Sequence, residues 1–360
     1  MAHPAVPPTP IGRVTALGLG LAAIVAVIVL AFSWPSVTAD PHELPVVISG
    51  PAAAVDAAEQ ALEEAQPGAI AFTEVGDRAA AVTAIEHREA YGAIVLGETP
   101  EVLTSSAASP VVAQLLGTVA TKLEQGVNAQ AAAAAAAAGA PGTPPHVTVA
   151  VSDVVPLAEA DPRGTGLTAA MFPLVLGGML GGIAISLGVI GALRRVYAVV
   201  LYAAVGGAVL AGILQGWFGS LQGDYWANAA AIGLALAAIA APITGFVALI
   251  GRAGIAVGPV VMLLIANPMS AAAMPKEFLP APWGEVGQWF PPGAAATLVR
   301  DLSYFPAADA TFPWLVLGAW TLGGVLLSVL GHFRTAGGAE PDAEAALADG
   351  PEPQAVVGAA

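Results

Sequence analysis

The run LTAAMFPLVLGGMLGGIAISLGVIGAL, Leu167 to Leu193, decides how the rest of the chain is read. It holds 27 residues without an Asp, Glu, Lys or Arg, and Arg194-Arg195 follows at once. Comparable runs lie at about 14–34, 196–217, 227–250, 253–273 and 312–333. A bilayer core about 30 Å thick needs about 20 apolar residues in helix, so each run is long enough to cross. Inside lipid the backbone has no water to bond, which leaves helix as the conformation for such runs. The expected fold is an α-helical polytopic membrane protein of six spans, with an extracytoplasmic α/β domain inserted between spans 1 and 2.

Composition agrees. The 360-residue chain is 57% hydrophobic and 10% charged, whereas soluble domains carry about 25% charged residues. It has no Cys, which excludes disulfides and thiolate metal sites. The net charge of −15 is not a sign of a basic partner. Residues 35–166 hold 16 acids against 4 bases and the tail after Thr335 holds 5 acids and no base, a distribution expected of solvated surface. No nucleic-acid partner is expected.

Orientation follows from the arginines beside the spans. With the N-terminus inside, Arg13, Arg194, Arg195, Arg252 and Arg334 all fall on the cytoplasmic side, as the positive-inside rule asks. Both termini are then cytoplasmic in a plasma-membrane protein: residues 1–13 form the N-terminal segment and 14–34 the anchor. A cleaved signal peptide ending at Val37-Thr38-Ala39 is the rival reading of the anchor. Signal h-regions run about 7–15 residues, shorter than this one, so a retained anchor is expected.

Residues 35–166 read as a small α/β domain. Leu44–Ile48 is a short β-rich run, Ser49-Gly50-Pro51 opens a helix over Ala52–Ala65, and Ala69–Val75 is a second strand. Asp77 caps a helix over Arg78–Glu89, and Tyr91–Leu96 is a third strand, giving right-handed parallel crossovers. Ser109-Pro110 starts a helix that reaches Ala138 through a run of alanines. Pro141–Pro145 is a linker, and His146–Val151 a returning strand.

Residues 167–333 form the five-span membrane domain, interrupted by a Pro- and Trp-rich outer segment at 274–311. Within it Leu298, Val299, Leu302 and Phe305 share a helical face, with Arg300 and Asp301 off it. The segment should lie along the interface or dip in and return. Arg300, Trp289 and Trp283 are the candidate gate or lipid contacts. Residues 334–360 are an acidic, Ala/Gly/Pro-rich cytoplasmic tail with the composition of a disordered segment.

Catalytic signals are nearly absent. The five His are scattered without metal-ligand spacing, and neither Lys122 nor Lys276 sits in a Gly-rich phosphate loop. Glu86-His87-Arg88-Glu89 is dense in titratable groups but reads as a solvated helix face. No enzyme activity and no cofactor is expected. No acid or base lies in the middle of a span, which disfavours a self-contained proton-coupled carrier. Asn228, Thr244, Asn267 and Ser270 are the few polar residues there. Small-residue pairs, among them Gly178/Gly182, Gly207/Ala211 and Gly324/Ser328, permit close helix approach, within the chain or across a homodimer seam.

The layout resembles the ABC-transporter type-2 permease superfamily, particularly its phage-infection-protein-like branch. The resemblance covers nearly the whole chain. It is carried locally by Leu44-Pro45-Val46-Val47-Ile48, by Tyr91-Gly92-Ala93-Ile94-Val95-Leu96, and by Pro275–Pro280 through Phe290-Pro291-Pro292-Gly293 to Arg300. It implies the permease subunit of an export-type transporter, energised by an ATP-binding cassette ATPase in trans. Arg194, Arg195 and Arg252 are then the candidate cytoplasmic docking residues. Met1–Gly12 departs from the pattern, being too short and Pro-rich for the amphipathic helix that seats the ATPase in many relatives. The competing class is a non-transporting surface receptor or assembly module anchored by the bundle. Membrane lipids are partners under either reading.

Overall fold

The structure, a computed structural model, describes residues 9–138 and 146–334. The N-terminal residues 1–8, the linker around Pro141–Pro145 and the acidic tail from 335 onward lie outside the described residues. Among the described residues the chain is mostly helical, with a five-stranded sheet whose strands lie between α1 and the second long apolar helix in sequence.

After α1 (Ile11–Val37) the sheet domain runs β1 (Leu44–Ser49), α2 (Ala52–Ala65), β2 (Ile70–Glu74), α3 (Arg78–Glu86), β3 (Gly92–Val95), β4 (Glu101–Thr104), α4 (Pro110–Ala137) and β5 (Ala150–Asp153). The strand order is β2-β1-β3-β4-β5. β1 pairs in parallel with both β2 and β3, in registers that place Val46 beside Phe72 and Val47 beside Ala93. The chain crosses from β1 to β2 through α2 and back past β1 to β3 through α3, and these opposite directions put α2 and α3 on opposite faces of the sheet, as right-handed connections require. Leu44, Val46, Ile48 and Ile94 bury against α2 and α4, while the alternate residues Val47, Ala93 and Leu103 bury against α3. Gly92 is needed where it stands, because a Cβ there would meet Leu116 Cδ1 at 2.3 Å.

Two strands depart from the sequence reading. β4 was not expected; it is a four-residue antiparallel partner of β3 directly after a Pro-containing turn. β5 begins at Ala150, later than the expected His146, because side chains of α4 take the backbone bonds before it. Val147 N–H donates to Asn128 Oδ1 at 2.9 Å, and Val149 N–H donates to Glu124 Oε2 at 3.0 Å.

Among the described residues five helices are long and apolar enough to cross a membrane: α1, α5 (Thr165–Gly188), α6 (Ala192–Ala211, continued by a π-helical turn to Trp217), α7 (Tyr225–Ile250, continued by a 3₁₀ turn to Ala256) and α10 (Thr311–Arg334). α7 is the hub and α5, α6 and α10 pack around it. The small residues make this approach possible. A Cβ on Gly207 would lie 2.3 Å from Ala229 O, one on Gly178 2.8 Å from Ile239 Cβ, and one on Gly324 2.3 Å from Ala241 C. These faces are used within the chain.

The run expected as span 253–273 is not a continuous α-helix. It is a 3₁₀ segment over Gly251–Ala256 and a π-helix over Gly258–Ala266, ending at Asn267. Pro259 cannot donate an intrahelical hydrogen bond. Gly254 lies so close to α7 that a Cβ would stand 2.4 Å from Phe246 C. The segment's 3₁₀ part packs against α7, and its π-helical part packs against α5, α7 and the later helix Pro291–Tyr304.

Between that segment and α10 lie a 3₁₀ turn (Lys276–Phe278), the short α8 (Trp283–Gly287) and α9 (Pro291–Tyr304). Ten of the 14 residues of α9 are buried, against α7, α10 and the π-helix.

Candidate functional site

A cavity of about 580 Å³ opens where the end of α3, the Met274–Glu277 turn and α9 meet. α3 stops at His87 because Arg88 takes a left-handed conformation, φ 59°, uncommon for a residue with a Cβ. That bend turns its guanidinium away from the helix surface, over the ring of Phe305 at 5.3 Å, and onto the Asp301 carboxylate of α9. The ion pair joins residues 213 apart in sequence, with side chains 17% and 6% exposed. Beside it Tyr91 Oη donates to Glu277 Oε2 at 2.9 Å.

Electrostatics follow from burial. Burial works against the Arg88 charge, but Asp301, with Tyr91 and Glu277 nearby, outweighs it and leaves the guanidinium above its ordinary range. Burial pushes the Asp301 carboxyl up while Arg88 pulls it back. Burial, with Glu277, also raises the Tyr91 phenol, so it stays protonated and able to donate. The polar floor of the cavity is a chain of bonds from Thr297 Oγ1 to Gln288 Oε1 (2.7 Å) and from Gln288 Nε2 to Ser270 O (3.3 Å). At the rim Lys276 Nζ meets Glu285 Oε1 at 2.6 Å.

Arg300 lines the same cavity. It pairs with no carboxylate among the described residues, and its Nη2 donates to Ala272 O at 3.2 Å. Burial, then the like charge of Arg88, lowers its pKa to about 10, which leaves it charged at neutral pH. Trp289 and Trp283 are both exposed on their outer faces. The Trp289 ring meets Phe312 edge-on at 4.9 Å, and its carbonyl accepts from Trp320 Nε1 at 2.9 Å. Trp320 is nine residues into α10, so α9 starts about 13 Å along that helix.

Of the three docking candidates, Arg194 and Arg252 are exposed and Arg195 is not. The two arginines of the Arg194-Arg195 pair were expected in the turn between spans. They lie instead in the first turn of α6, the turn itself being Val189–Gly191. Arg195 is 1% exposed and reaches back to the end of α5, donating from Nε to Val189 O at 2.7 Å and from Nη2 to Ser186 O at 3.0 Å. It satisfies carbonyls that a helix C-terminus leaves open. It cannot also reach a docked partner.

Asn228 and Thr244 are buried and engaged, Asn228 Nδ2 with Gln222 O at 2.7 Å and Thr244 Oγ1 with Ala241 O at 2.9 Å. Asn267 and Ser270 line a second cavity between α1 and α5. Among the described residues no group of His, Asp and Glu is placed to hold a metal ion.

No family model, curated protein or solved structure matches the chain.

The functional reading therefore stands on the junction itself. Of the residues singled out from the sequence, Arg300 lines this cavity and Trp289 and Trp283 do not, while Arg88, Tyr91, Glu277 and Asp301 were missed. The dense Glu86–Glu89 run was the available signal: Glu86, His87 and Glu89 do face outward, and Arg88 alone turns in.

Proposed function

We propose that the chain is the permease subunit of an export-type transporter of a plasma membrane, energised by a separate ATP-binding cassette ATPase. In this reading the 3₁₀/π segment is a sixth crossing beside the five long helices, both termini are cytoplasmic, and the sheet domain stands outside. The observation that carries the reading is the tie between the sheet domain and α9. A domain that recognises cargo can alter the packing of α9 against α7 and α10 only if the two are joined. Arg88–Asp301 and Tyr91–Glu277 join them. The α8–α9 piece then acts as the gate, with Trp283 and Trp289 on its membrane-facing edge. Arg194 and Arg252 remain as exposed cations for the ATPase.

The test is a mild-detergent purification of the full chain from its native membrane, with ATPase turnover measured on whatever co-purifies. An ATPase whose turnover changes with Asp301→Asn, the bundle still folded, supports a coupled permease. No ATPase with the wild type overturns it in favour of an anchored surface module. Topology is checked separately. Cys at Ala57 or Ala307 reacts with an impermeant maleimide in intact cells, and Cys at Ala253 reacts only after lysis. The parent has no Cys, so the reverse pattern would be unambiguous.

A further inference from the structure

A third cavity, about 410 Å³, lies below the start of α4, against the first turn of α5 and the outer end of α9. Two of its walls are cationic, Arg163 and Arg300, and no Asp or Glu lines it. The carboxylates nearby are engaged elsewhere. Asp161 accepts from the backbone N–H of Thr165 at 3.0 Å and of Gly166 at 2.7 Å, and Asp301 is held by Arg88. Three of the lining hydroxyls donate elsewhere: Tyr304 Oη to Ser220 O at 2.7 Å, Thr168 Oγ1 to Gly164 O at 3.1 Å and Thr165 Oγ1 to Asp161 Oδ1 at 3.2 Å. The charged donors of the cleft are the two guanidiniums. Arg300 makes one hydrogen bond, to Ala272 O, out of five N–H groups. Arg163 forms no ion pair among the described residues and is exposed. A half-buried cation without a counter-charge is costly, and an anion in the cleft removes that cost.

The position says what kind of anion. The cleft opens along Thr165, Thr168 and Ala169, where an apolar helix long enough to cross a membrane begins. It shares Thr168, Ala273 and Met274 with a second cavity of about 440 Å³, which runs between the end of α1 and α5. That slot is mostly apolar, walled by Phe32, Met171, Phe172 and Leu279, with Asn267 and Ser270 among its few polar residues. A cationic head cleft thus continues into an apolar slot at the level where lipid headgroups meet chains.

We propose that Arg163 and Arg300 bind the phosphate of a phospholipid whose acyl chain occupies the slot between α1 and α5. A phosphate offers paired oxygens that match the planar guanidinium fork, which a carboxylate-free cleft leaves open to it. The proposal needs only the membrane placement of the helices and stands apart from the transport reading.

The full chain is reconstituted in vesicles of equal phosphatidylglycerol and phosphatidylcholine, re-extracted in mild detergent, and its retained lipid is quantified by mass spectrometry. Wild type is expected to retain the anionic lipid preferentially, with each arginine worth about five-fold. Arg300→Gln and Arg163→Gln should each lose about that factor, and Arg78→Gln, on the far edge of the sheet domain, should lose nothing. Should Arg300→Gln fail to fold, Arg163→Gln carries the test from its exposed loop. A second arm measures thermal protection by inorganic phosphate alone. Protection by phosphatidylglycerol without protection by millimolar phosphate supports a lipid. Equal protection by phosphate overturns the lipid assignment, and retention indifferent to both arginines overturns the site.

Discussion

α1 and α9 invert what hydropathy leads one to expect. α1 has 27 residues, is the most apolar of the five long helices, and buries none of them in the protein. α9 has 14 residues, carries Arg300 and Asp301, and buries ten. The difference is in side-chain size and in what the neighbours offer. α9 opens with Pro291-Pro292-Gly293-Ala294-Ala295-Ala296, small enough to pack among α7, α10 and the π-helix, and its one buried acid meets a buried base. α1 is rich in Leu, Ile and Val that point outward all round. Lipid is as apolar as those side chains, so nothing drives α1 onto the bundle. Hydropathy therefore identifies the solvent of a helix, and small residues identify its partners.

The sharpest way to break this comparison is to remove the buried acid. Asp301→Ala leaves Arg88 as a buried charge without its partner and should cost about 3–5 kcal/mol, read as loss of thermal stability in detergent. A double-mutant cycle with Arg88→Ala should show strong coupling, and additive effects would mean the pair does not exist. The next effect is steric. A Cβ on Gly293 would lie 2.4 Å from Gly287 O, so Gly293→Leu should cost about 1–3 kcal/mol or prevent folding. Gly20→Leu on α1, where nothing lies within 4 Å, should leave the melt unchanged. Equal losses would show that α1 is packed after all.

The smallest effect comes from an ion pair outside both helices, and it calibrates the buried one. Arg78 donates to Glu101 at 2.6 Å but is 53% exposed, a setting in which pairs contribute little. The Arg78 hydrogen bond holds the Glu101 carboxyl below its ordinary range, with burial opposing and Ser152 helping. A carboxyl depressed in the folded state contributes stability that is present above its unfolded pKa and lost as pH falls through the folded one. Arg78→Ala should therefore make hydrogen-exchange protection of β4 and β5 fail at slightly higher pH than in wild type. No change would place the Glu101 effect on Ser152.

Periodicity and composition made the long helices legible, and the start of α4 at Pro110 was readable to the residue from its Ser109 cap; α2 spans the expected Ala52–Ala65, but with Pro51 and not a side chain at its N-cap. The junction was not. Arg88 and Asp301 are brought together by the tertiary fold from opposite ends of the chain, and the left-handed turn at Arg88 has no glycine to announce it. The 3₁₀/π segment was equally opaque, since its residues read as an ordinary apolar run.

Arg194 and Arg195 are adjacent, identical in type, and count equally as orientation signals. A saturation scan should nevertheless separate them completely. Arg194 points into the open and should accept Lys, Gln or Ser with little change. At Arg195 even Lys should fail, because an ammonium is a single point donor and cannot span Val189 O and Ser186 O as the guanidinium does. A loss of function mapped to Arg195 alone would thus report on how α5 and α6 are stapled, and would carry no information about anything that docks there.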